Sequence, residues 1–85
     1  MIELRRRVGV ITIPKRAYYE EPESVQLIFS NLIPLRVQER YDLNAFEVTA
    51  ISEGFDIIEE GSLAPPYEAI FRQEDENTLV EFRRR

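Results

Sequence analysis

Hydrophobic and polar residues along this chain follow two different periods. In residues 2–13, Ile2, Leu4, Val8 and Val10 share one parity, Ile11 and Ile13 take the other, and Pro14 ends the run. Val and Ile suit a pleated surface, so this stretch predicts a first strand. Gly9 inside it marks a bulge or a place where another part of the chain comes close. Residues 15–21 read as a loop. From Pro22 the period changes: Val25, Ile28, Phe29 and Leu32 stand at i, i+3, i+4 and i+7, the stripe of an amphipathic helix. Pro22 fits the first helical turn, and Glu21 and Glu23 suit its positive end. Pro34 forces Ile33 out of helical geometry, which predicts a helix over 22–32. A strand built on Val25, Leu27 and Phe29 is the competing pattern.

Alternation then returns. Leu35, Val37 and Tyr41 are interleaved with Arg36, Gln38 and Arg40, the turn Asp42-Leu43-Asn44 follows, and Phe46, Val48 and Ala50 alternate with Glu47, Thr49 and Ile51. Two strands around a short Asp/Asn turn predict an antiparallel hairpin. Gly54 stops it. Residues 55–58 read as a short extended piece or a single helical turn, and Ala64-Pro65-Pro66 as a stiff connector. Tyr67, Ala69 and Phe71, the polar turn at 74–77, then Thr78, Val80 and Phe82 predict a C-terminal hairpin. The order is β-α-β-β-β-β, with the short piece at 55–58 before the last hairpin. The economical architecture is α+β: a small, mostly antiparallel sheet with one helix packed on a face. A small β-barrel is the alternative.

Length holds this to one domain, residues 1–85. A chain of this size buries only roughly 60–65% of its unfolded surface, so its core is thin and a partner adds stability. With 44% hydrophobic and 32% charged residues it has the composition of a globular protein. Cys is absent, which removes disulfides, thiolate metal sites and thiol nucleophiles and favours a cytoplasmic location. His is absent too, and with it the commonest general base and metal ligand. No apolar stretch approaches the ~20 residues of a membrane-spanning helix. The basic start followed by Val8–Ile13 is too short, and lacks the small-residue site, for a signal peptide.

The remaining chemistry is sparse. The three glycines stand far apart at 9, 54 and 61, so no phosphate-cradling loop exists, and no serine elbow is present. Asp56 with Glu59 or Glu60 is the one dense carboxylate group outside a hairpin tip, and such groups are usually solvated. Glu74-Asp75-Glu76-Asn77 lacks the alternation and glycine of a calcium loop. No cofactor or metal is expected, and the chain reads as a non-enzyme.

Charge and aromatic placement suggest binding instead. At a net charge of −5, the body is acidic while Arg5, Arg6 and Arg7 and then Arg83, Arg84 and Arg85 make both ends basic. If the first and last strands lie side by side, the two triplets merge into a basic ridge able to hold phosphates. Tyr18 and Tyr19 beside Lys15 and Arg16 could stack on bases. Tyr41 and Tyr67 also exceed what a thin core needs, and tyrosine is enriched at protein interfaces. Pro65-Pro66-Tyr67 is one residue short of a Pro-Pro-x-Tyr peptide motif.

These observations define the expectation: a protein-interaction domain acting as an accessory subunit, adaptor or inhibitor, of the kind that viruses and mobile elements encode. Its candidate contact residues are Tyr18, Tyr19, Tyr67, Arg5, Arg7, Arg83, Arg84 and Arg85, its partner another protein or a second copy, with no membrane. Two alternatives stand beside it. One is nucleic-acid binding through the terminal arginines. The other is an acidic DNA mimic using residues 20–23, 53–60 and 74–76.

Overall fold

A computed structural model describes residues 2–85, with side chains from Leu4 onward. Met1 and the side chains of Ile2 and Glu3, part of the expected first strand, lie outside the described residues. The chain forms α1 (Ile2–Arg5), β1 (Val8–Pro14), α2 (Ala17–Glu20), α3 (Pro22–Ser30), β2 (Ile33–Arg40), β3 (Ala45–Ile51), β4 (Pro66–Glu74) and β5 (Asn77–Arg84). The strands make one open sheet in the order β2-β3-β1-β4-β5. Three of the four pairings are antiparallel, and β1 runs parallel to β4. The α+β expectation therefore holds, while an open sheet with two free edges is not the barrel alternative.

The first strand starts later than its parity suggested. The partner strand β3 ends at Ile51, opposite Val8, so residues before Val8 have no β3 residue to pair with. Residues 2–5 instead coil into a helical turn, and the strand opens at Val8. Gly9, Ile11 and Ile13 are buried on one face, while Val8, Val10 and Thr12 are half-buried on the other.

The stretch expected as a loop at 15–21 contains a short helix. The Glu20 and Glu21 amides bond to the carbonyls of Arg16 and Ala17 at 2.8 Å, and Pro22 ends that turn by pushing Glu21 to an extended φ of −136°. The helix expected over 22–32 forms and ends at Ser30: Val25 and Ile28 are buried along it, Leu32 is buried just past its end, and Phe29 packs against them. They cover Ile11, Ile13, Val48 and Ala50 on the sheet.

Segment 52–65 has no regular structure, yet it reaches the core. Phe55 is buried, stacked on Tyr67 with ring centroids 4.4 Å apart and 5.1 Å from Phe82. The Asp56 amide donates to the Tyr67 hydroxyl at 2.7 Å, and the buried Ser52 hydroxyl donates to the Asn31 carbonyl at 2.8 Å. Both hairpin turns use a positive φ on a residue that tolerates it, Asn44 (50°) and Asp75 (54°).

Candidate interaction surface

The edge strand β2 exposes three large apolar side chains, where β4 and β5 expose one each, Phe71 and Leu79. It pairs with β3 on one side only, and every residue from Ile33 to Glu39 is exposed. Ile33, Leu35 and Val37, then Leu43 in the following turn, are each more than half exposed, and Tyr41 is 82% exposed. Five apolar side chains thus face solvent within one short stretch of chain. Scattered exposed leucines need no explanation, but five exposed apolar side chains on one sheet edge and the turn after it are more than a scatter.

The alternation of Leu35 and Val37 predicted a hairpin strand but did not show that this strand would be an edge. The signal present was Pro34. Proline has no N–H to donate to a ladder and is confined to edges, strand starts and bulges. Here it sits beside a register shift between Pro34 and Arg36.

The far end of β2 is fixed by a polar and aromatic cluster. The Lys15 ammonium pairs with the Glu39 carboxylate and lies 5.0 Å from the centre of the Tyr41 ring and 5.6 Å from that of Phe46. Tyr18 meets Phe46 edge-on at 5.4 Å, and burial pushes the Tyr18 hydroxyl pKa up. Arg40 bridges Asp42 and Glu47, both at 2.8 Å.

Hydrogen bonding from Lys15 is the main cause holding the Glu39 carboxyl below its ordinary range, and hydrogen bonding from Arg40 does the same for Asp42. Both folded-state pKa values are depressed. The stability they contribute is therefore present above the ordinary carboxylate range and lost as pH falls through the folded values. Thermal melts should show a midpoint that falls on acidification below about pH 4.5, with a shallower fall in Glu39→Gln. An identical acid dependence in that variant would contradict the coupling.

The predicted site residues do not come together. Tyr67 is 2% exposed and belongs to the core, which corrects its placement at the surface. Tyr18 is half-buried against Phe46, while Tyr19 is 85% exposed on α2. The arginine ridge does not form as expected, because β4 separates β1 from β5 and Arg5–Arg7 precede the strand. The arginines turn instead toward segment 52–65. Arg6 donates to the Ile58 carbonyl at 3.1 Å, Arg7 to the Phe55 carbonyl at 2.8 Å, and Arg84 lies 3.7 Å from Asp56. Arg83 lies 3.7 Å from Glu68. For Arg5 and Arg85, no ion pair is seen among the described residues.

The acidic groups fall on three separate elements: the α2–α3 junction, segment 52–65 and the tip of the β4–β5 hairpin. A cleft of about 630 Å³ lies among the end of α3, residues 51–54 and β5. Its buried polar group, Ser52, is already satisfied within the fold. Among the described residues no helix is long and apolar enough to cross a membrane. Comparison with known protein families, curated proteins and solved structures finds no match.

Proposed function

We propose that this chain is a non-catalytic protein-interaction domain, an accessory subunit, adaptor or inhibitor, that docks through the edge of β2 and the turn after it. The observation that carries this reading is the run of exposed apolar side chains at Ile33, Leu35, Val37, Tyr41 and Leu43. An edge strand offers a partner both unpaired backbone groups and side-chain anchors, the combination used in strand addition. The absence of His and Cys from the sequence supports a role without catalysis.

Photo-crosslinking in the cells that make the protein tests the reading. A photoreactive residue replacing Leu43 is expected to give a discrete protein adduct. The same residue replacing Gln26, exposed on α3, is expected to give none. Equal adduct formation at the two positions, or none at either, would overturn the assignment.

A further inference from the structure

We infer that the occupant of the β2 edge is a second copy of this chain, paired antiparallel through β2 about a two-fold axis at Val37. The inference rests on the reading of β2 as a contact edge and names what it contacts.

Charge selects the axis. In an antiparallel pair, directly opposed residues share a face of the sheet, so an in-plane continuation requires the axis to pass through a residue. Pro34 and the register shift after it interrupt the first part of the strand, leaving residues 36–39 as its regular middle. An axis at Arg36 sets that arginine against itself. One at Gln38 sets Arg36 against Arg40 of the second copy. One at Glu39 opposes two carboxylates. Like charges directly opposed are destabilising. At Val37 alone, valine meets valine and Arg36 meets Gln38 of the second copy. That pair is already compatible in the strand, where the Arg36 guanidinium donates to the Gln38 side-chain carbonyl at 2.6 Å. Glu39, at the end of that regular stretch, carries a charge that Lys15 already balances.

Packing leads to the same place. A transverse apolar row crosses the sheet from Tyr67 through Ile11 and Val48 to Val37. Tyr67, Ile11 and Val48 are buried, and Val37 is where the row ends in solvent. Pairing at Val37 continues the row into the Val37 and Val48 of the second copy and joins two five-stranded sheets into one. The seam is short compared with the roughly 1,200–2,000 Å² of stable interfaces, so the dimer is weak, with a dissociation constant on the order of 100 μM.

Sedimentation equilibrium of the full chain from about 20 μM to about 1 mM should show a monomer–dimer equilibrium. Val37→Lys and Val37→Glu, each confirmed folded by circular dichroism, should dimerise at least about tenfold more weakly. An equimolar mixture of these two variants should recover dimer, because opposite charges then meet at the axis. A strictly monomeric wild type, or variants that associate as the wild type does, would overturn the inference. A monomeric wild type that still gives the Leu43 adduct with another protein overturns the self-pairing while leaving the interaction reading in place.

Discussion

Replacing Phe55 by alanine is expected to destabilise the fold by about 4 kcal/mol. A chain of this length holds roughly 4–13 kcal/mol in total, so the variant should be close to unfolding at ambient temperature. The reason is positional. Phe55 is 1% exposed and is the buried aromatic of a segment with no regular structure, packed between Tyr67 and Phe82. Its removal opens a cavity under a loop and weakens the packing that sets the Arg7 contact with the Phe55 carbonyl. Urea denaturation checks this through the midpoint. A loss below about 1 kcal/mol would show that segment 52–65 is not anchored as described.

The second large effect tests a sign. At most strand positions, alanine in place of glycine is favourable by about 0.4–1 kcal/mol because the unfolded chain loses freedom. At Gly9 the expected result is the reverse, a loss of about 2–3 kcal/mol. A Cβ built there would stand 2.6 Å from Tyr67 Cδ2 and 2.9 Å from Phe55 Cδ2. Neither ring is free to retreat: they stack on each other, and the Tyr67 hydroxyl is tied to the Asp56 amide. Chemical denaturation of Gly9→Ala gives the answer directly. A neutral or stabilised variant would mean that the rings do not lie on the β1 backbone.

Gly9 also shows how far the sequence can be read. A glycine inside a Val/Ile strand announces that something comes close, and the structure supplies the two rings. Local periodicity was equally informative for α3, where Val25 and Ile28 are buried as the stripe requires, and for both hairpins. It failed where tertiary position decides. The first strand opens only at Val8, opposite the last residue of β3, and which strand lies beside it follows from strand order, which no local pattern encodes. The parallel β1–β4 pairing has the same origin.

Tyr67 looked spare because the tyrosines exceed what so thin a core needs, yet it is buried and its hydroxyl has a partner. That partner is the backbone amide of Asp56, 11 residues away in a segment without regular structure. The contact surface was obscured for a related reason. Leu35 and Val37 have the alternation of a core-facing strand, and only Pro34 hinted that β2 would be an edge.

The acidic body and the two arginine-rich ends remain the basis of the rival nucleic-acid readings, and one measurement separates them from the β2 edge. Tagged wild type and a Leu35→Lys/Val37→Lys double variant are used for affinity capture from lysate of the cells that make the protein, with and without nuclease, and read by mass spectrometry. Both substituted positions are more than half exposed, so the variant should keep its stability to within about 1 kcal/mol. The expected result is a discrete partner protein, distinct from the tagged chain, that survives nuclease and is lost with the double variant. Capture that vanishes with nuclease and is unaffected by the β2 substitutions would contradict it.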